Sequence, residues 1–320
     1  MPMPLLFALA LILIAFLAYV GRYSGRLRVE RSREIAAPLA EVYAAVADFA
    51  TWPGWCPWLE HDPAIVLQLA GQRCSWRTAP AGDYEIVQRI AEPGRRIVQR
   101  IVSREPFRYA GQMHWEFTER DGRTLVTWRI KGRVAFALRA FMTTVRGALE
   151  LDLRYGLDKL AGQLERGGQG AAYRIEYLGL RDVPASRQVS ESWQGPISGL
   201  RTAVDGAVGR LRQRLAAAAI APAGEPVAAF QRTNVKQGTT ACRIGIPVAD
   251  EVVALETATT PAHRAWVVRL SGDRAALDIA WYEAMQRLRI DDCQPDPAIP
   301  PVERYLGDTL TELLLPVRGT

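Results

Sequence analysis

The chain has 320 residues, of which 49% are apolar and 23% charged. That balance suits a globular protein long enough for two cores, and it excludes collagen-like, coiled-coil and wholly disordered chains. The formal charge of +6 arises from 37 Arg and 3 Lys against 34 acidic residues. The Arg are spread along the chain and no zinc-finger or RNP motif accompanies them, so nucleic acid is not an expected partner.

His61, His114 and His263 stand far apart in sequence, which argues against a metal site. Cys56, Cys74, Cys242 and Cys293 lack CxxC spacing. They read as free, mostly buried thiols, with a Cys56–Cys74 disulfide as the alternative. No cofactor is implied.

Residues 5–20, LLFALALILIAFLAYV, form an unbroken apolar run. A bilayer-spanning helix needs about 20 such residues, and a core helix would need a polar face that this run lacks. The expectation is an uncleaved transmembrane anchor over 1–24. A cleaved signal peptide and a soluble apolar helix are the alternatives. Arg22, Arg26, Arg28, Arg31 and Arg33 follow the run. By the positive-inside rule they place the rest of the chain in the cytoplasm, on a single pass through the inner membrane.

A first soluble domain is expected over 27–166. Residues 28–35 alternate as a strand, and 39–50 place Val42, Val46 and Phe49 on one helical face that ends at Trp52-Pro53-Gly54. Short strands follow, punctuated at Gly71, Pro80-Ala81-Gly82, Pro93-Gly94 and Pro106. Asp121-Gly122 is a hairpin signal joining 112–120 to 124–131, with Met113, Trp115 and Phe117 facing one way and Val126, Trp128 and Ile130 sharing a face on the next strand. A long helix from about Ala137 to Glu165 closes the domain. An antiparallel sheet covered by one long helix leaves room for a ligand.

The segments 35–58 (IAAPLAEVYAAVADFATWPGWCPW) and 92–132 resemble the START-like (SRPBCC) superfamily of polyketide-cyclase type. The resemblance implies an α+β helix-grip fold around an apolar cavity, a fold that hosts carriers, cyclases and binding modules alike. Trp55, Trp76, Trp115 and Trp128 are the candidate ligand contacts; packing of the cavity rim and core is the alternative for each. His114 alternates with Trp115 and is expected to face away from it. Asp83, Glu85 and Glu116 read as solvent-facing.

Gly167-Gly168-Gln169-Gly170 reads as a flexible linker at 167–170. The remainder, 171–320, repeats itself loosely: IAPAGEPVAAF…CRIGIPV corresponds to CQPDPAIPPVERYL…TELLLPV. This fits a duplicated βαββ unit whose two sheets merge around a pseudo-twofold axis. The segments 194–215 and 300–317 resemble the gyrase-inhibitor-like effector-binding domain of bacterial drug-sensing regulators. In that family a Glu on the penultimate strand lies in the ligand cleft, and the resemblance assigns that place to Glu303. Tyr305, Trp281, Trp266 and Tyr177 are the aromatic candidates. A carboxylate beside aromatic faces suits an organic cation. The alternative is a surface ion pair of Glu303 with Arg304 or another Arg.

Taken together, the sequence reads as a membrane-anchored small-molecule-binding or sensing protein with two cavities for hydrophobic or amphipathic compounds. A hydrolase or cyclase and a protein-binding module are the competing readings. No nucleophile–base pair is evident, which favours binding over catalysis.

Overall fold

The computed structural model describes residues 3–22, 24–60, 62, 64–78, 82–105, 108–165, 173–234, 237–249 and 255–318. The expected linker at 167–170, His61 and the turn residues Pro80, Ala81 and Pro106 lie outside them. The chain divides into two compact units, Met1–Ala171 and Ala172–Thr320, each with one antiparallel sheet faced by helices.

The first unit opens with α1 (Met3–Gly21). Among the described residues no helix is long and apolar enough to cross a membrane. This overturns the transmembrane anchor over 1–24 and, with it, the inner-membrane location and orientation. The helix carries the apolar run from Leu5 to Val20. The last residue of the run, Val20, is buried, and the helix packs against the 3-10 turn Phe136–Phe141.

Next come β1 (Arg26–Ile35), α2 (Leu39–Ala47), the 3-10 helix Phe49–Gly54 and α3 (Pro57–Glu60). Asp48 ends α2 and starts the 3-10 turn, its side chain accepting from the Ala50 amide at 2.9 Å. Six strands follow: β2 (Gln68–Ala70), β3 (Arg73–Thr78), β4 (Gly82–Glu92), β5 (Arg96–Glu105), β6 (Tyr109–Arg120) and β7 (Arg123–Arg133). The sheet order is β1-β7-β6-β5-β4-β3-β2. Asp121 and Gly122 turn the β6–β7 hairpin at φ 49° and 74°. The closing helix α4 (Met142–Leu164) starts later than the expected Ala137, because Phe136–Phe141 winds as 3-10 first.

Alternation buries Met113, Trp115 and Phe117 of β6 and Val126, Trp128 and Ile130 of β7 in one core with Leu153, Leu157 and Leu160 of α4. The indoles of Trp115 and Trp128 stack at 4.3 Å between centroids. Trp55 meets both edge-on, at 5.8 and 6.1 Å. A Cβ on Gly156 of α4 would lie 2.9 Å from the Trp128 ring, so the helix carries glycine where the indole rests against it.

The second unit runs β8 (Tyr173–Val183), β9 (Ser186–Pro196), α5 (Leu200–Ala217), β10 (Val227–Asn234) and β11 (Thr239–Val248). It then repeats the order with β12 (Ala258–Thr260), β13 (His263–Gly272), α6 (Leu277–Ile290), β14 (Val302–Tyr305) and β15 (Leu310–Val317). Residues 250–254, before β12, lie outside the described residues. The sheet order β12-β9-β11-β10-β14-β15-β13-β8 is unchanged when the two repeats are exchanged. It is one continuous sheet, and the first strand of each repeat crosses to the other half: β8 pairs with β13 and β12 with β9. Helix α5 packs Val204, Leu211 and Leu215 with Cys242, Ile244 and Ile246 of β11. Helix α6 packs Ala280, Ala284 and Leu288 with Leu313 and Leu315 of β15.

The first core yields a direct test. Trp115 Nε1 donates to Gln99 Oε1 at 2.9 Å inside the core, whereas Trp128 Nε1 has no acceptor among the described residues. Phe at either position removes the same volume, but only Trp115→Phe strands a buried acceptor. Urea unfolding followed by circular dichroism should show Trp115→Phe costing about 1–3 kcal/mol more than Trp128→Phe. Equal losses would mean that the Gln99 bond adds nothing.

Candidate functional site

The centre of the second sheet is a short junction in which β10 meets β14 through Val227↔Arg304, Ala228↔Glu303 and Ala229↔Val302. Strand alternation sends Glu303 and Tyr305 to the helix-covered face, and both are buried. There Trp281 of α6 donates from Nε1 to Glu303 Oε1 at 2.6 Å, and the Tyr305 hydroxyl donates to Oε2 at 2.6 Å. Phe230 of β10 meets Trp281 edge-on at 5.7 Å. The Arg274 guanidinium lies 5.0 Å over the Tyr305 ring.

Among the described residues Glu303 has no ion-pair partner. It is 3% exposed, and burial raises its pKa above the usual carboxylate value against the lowering effect of the Trp281 and Tyr305 bonds and of the Arg274 charge. Burial and the adjacent carboxylate together push the Tyr305 hydroxyl well up, and burial lifts the Cys242 thiol to about 11. Arg304, the surface partner considered for Glu303, turns to the opposite face. There Glu312 accepts from Arg304 Nε at 3.0 Å and from Arg269 Nη2 at 2.7 Å.

The other two aromatic candidates stand apart from this cluster. The Tyr177 hydroxyl donates to Glu283 Oε2 at 3.3 Å, and Arg287 lies over its ring. Trp266 packs in the α6 core against Gly179. Phe230 and Arg274 were not foreseen. The repeat correspondence carried a signal for Phe230, because it falls opposite Tyr305 when Ala228 is set against Glu303.

In the first unit Trp55 is fully buried rather than at a rim. Trp76 stacks on Tyr84 at 5.2 Å, and Trp58 donates to Asp152 Oδ2 at 3.0 Å. Among the described residues the indole N–H groups of Trp55, Trp76 and Trp128 and the Tyr109 hydroxyl are buried without an acceptor. His114 belongs to the opposite face of β6, and partial burial, with Lys131 and Arg129 nearby, holds its pKa below the ordinary value. Asp83, expected at the surface, is buried, because Arg77 Nε at 3.0 Å and Arg104 Nη1 at 3.1 Å fold over it. The four thiols are free. Among the described residues no three His, Cys, Asp or Glu side chains gather as metal ligands.

Residues 26–165 match the family described as polyketide cyclase / dehydrase and lipid transport. A comparison with curated proteins finds no match. Among solved structures, the chain is similar to the protein XoxI from Bacillus cereus at 15% identity, over 43% of this chain and 94% of that one, with a TM-score of 0.36. The di-domain ARO/CYC StfQ from the steffimycin biosynthetic pathway is similar at 18% identity, over 43% and 50%, with a TM-score of 0.36. The Mll3558 protein from Rhizobium loti is similar at 20% identity, over 43% and 97%, with a TM-score of 0.33. The family matched by 26–165 thus concerns the first unit, whose sheet, long helix and buried indoles are described above.

Proposed function

We propose that the chain binds small hydrophobic or amphipathic molecules at two sites, one per unit, and that the second takes an organic cation. The observation that carries this is Glu303, a buried carboxyl with two neutral donors and no ion-pair partner among the described residues. A buried carboxylate left so is costly, and a cation restores the balance. Trp281, Phe230 and Tyr305 offer aromatic faces around it. Arg274 over the Tyr305 ring stands where a ligand cation would sit, and a ligand would displace it. The resemblance of 171–320 to gyrase-inhibitor-like effector domains supports the same assignment.

For the first unit, the family match and the four donors buried without acceptors among the described residues support a ligand that is largely apolar and carries carbonyl or phenolic oxygens. Trp55, Trp76 and Trp128 are its proposed hydrogen-bonding contacts. Trp115, already bonded to Gln99, is a wall.

Ethidium titrated into the full chain should bind saturably, and Glu303→Gln should weaken it by about 10- to 100-fold, the worth of a charge-assisted bond. Glu256→Gln, at an exposed position, is the control. Binding to the wild type should fall as pH drops through a pKa above 4.5, because protonation removes the charge. Equal loss for both variants would reduce the effect to surface charge. Chemical turnover of a bound compound that stops in Glu303→Gln would establish a hydrolase instead, and capture of a stable protein partner would establish a binding module.

Stability should carry the same signature. A carboxyl whose pKa is raised by folding stabilises fully below its unfolded value, and that contribution is lost as pH rises through the folded value. Glu303→Gln should therefore melt higher than wild type at neutral pH, with the difference closing below about pH 4. A lower melting temperature for the variant at neutral pH would contradict a buried, uncompensated carboxylate.

Alizarin, a flat hydroxyanthraquinone, should quench the tryptophan fluorescence of the full chain saturably, with Trp128→Phe weakening it several-fold by removing one donor. Unchanged affinity in Trp128→Phe would take this indole out of the site.

A further inference from the structure

The face of the second sheet turned away from α5 and α6 is closed in one half and open in the other. In the second half Glu312 sits there between Arg269 and Arg304, beside an apolar cluster of Ala265, Val267 and Leu314. The repeat correspondence sets Arg243 against Glu312, Ser192 against Arg269, Ala229 against Arg304 and Gly245 against Leu314. Every neighbour that fills or neutralises the second half is thus small or uncharged in the first. A cavity of about 550 Å³ occupies the space, bounded by Gln188, Ala229, Arg243, Thr260 and the proline-rich segment Pro295–Pro301.

Its wall carries a half-buried cation and a buried acceptor, neither answered by the described residues. Among the described residues Arg243, half-buried, has no carboxylate or carbonyl partner. Gln188 is 4% exposed; its Nε2 donates to Thr260 Oγ1 at 3.2 Å, while its Oε1 is buried with no donor among the described residues. Asp296, the carboxylate on the cavity wall, is turned into its own loop, where Oδ1 accepts from the Ala298 amide at 2.9 Å.

We propose that this cavity is a ligand site distinct from the Glu303 cluster, and that it takes a small organic carboxylate carrying a hydroxyl or N–H donor. Arg243 receives the carboxylate through its forked donors, and the ligand's donor meets Gln188 Oε1. The apolar body lies along Pro297, Ile299 and Pro300. The volume is that of an ordinary small-molecule pocket. Arg243 has the sign opposite to Glu303, so the two sites select opposite charges.

The test is calorimetric titration of the full chain with 4-hydroxybenzoate. Saturable binding is expected, weakened about 10- to 100-fold by Arg243→Gln and untouched by Glu303→Gln. The neutral 4-hydroxybenzamide should bind at least 10-fold more weakly. Benzoate, lacking the donor, should bind several-fold more weakly than 4-hydroxybenzoate, and Gln188→Leu should erase that difference. Melting temperatures of both variants report that the fold is kept. Absence of saturable binding, binding indifferent to Arg243→Gln, or inorganic phosphate binding as tightly as the carboxylate would each overturn the proposal. Failure of ethidium at Glu303 would leave it standing, because the two sites share no charged group.

Discussion

The second unit depends on the three residue pairs that join β10 to β14. A sheet cannot be interrupted without stranding backbone donors and acceptors, so this short junction must hold for the two halves to share one sheet. It also sits on the local twofold, where equivalent residues of the two repeats face each other. Any side chain placed there would meet its own counterpart. The chain resolves this by keeping Ala228 on one strand and Glu303 on the other. Two carboxylates would repel, and one beside a methyl group leaves room for Trp281 to reach it from α6.

The two units leave opposite kinds of polar group unanswered. In the first, indole and phenol donors are buried with nothing among the described residues to receive them. In the second, a carboxyl is buried with donors on both oxygens but no ion-pair partner among the described residues. Each such group costs about 1–3 kcal/mol, a sum that the burial of large aromatic side chains offsets. The ligands proposed for the two units would satisfy these groups. Arg243 and Gln188 follow the same logic on a third surface.

Local pattern carried much of this in the sequence. Alternation placed Trp115 with Met113 and Phe117 and put Glu303 on the same face as Tyr305, because the period of a strand is a property of the backbone. Asp121-Gly122 marked its turn for the same reason. The correspondence of the repeat endings fixed Ala228 against Glu303 and, carried two residues further, would have found Phe230. Partner choice was not legible. Nothing in β8 or β12 says that each leaves its own repeat, since pairing is decided by neighbours far away in sequence. Tyr177 and Trp266 lie on β8 and β13, and alternation gives a face and not a distance along it. Asp83 reads as solvent-facing until Arg77 and Arg104 are seen folding over it. The apolar run at the N-terminus gave a helix, yet its span and its packing on the domain are tertiary facts.

The crossing of β8 and β12 has a kinetic consequence. Each half of the second unit borrows its outer strand from the other repeat, so neither half can be completed while the other is missing. Residues near position 180 must wait for those near 266, and the intervening repeat must stay unsealed until they meet. Such long-range pairing makes for slow folding, because loop closure comes before any contact repays it. During synthesis β8 is exposed as an unpaired strand until β13 emerges, which is the interval in which this unit is open to pairing with a second chain. A single repeat, by the same geometry, would be complete only as a strand-exchanged dimer.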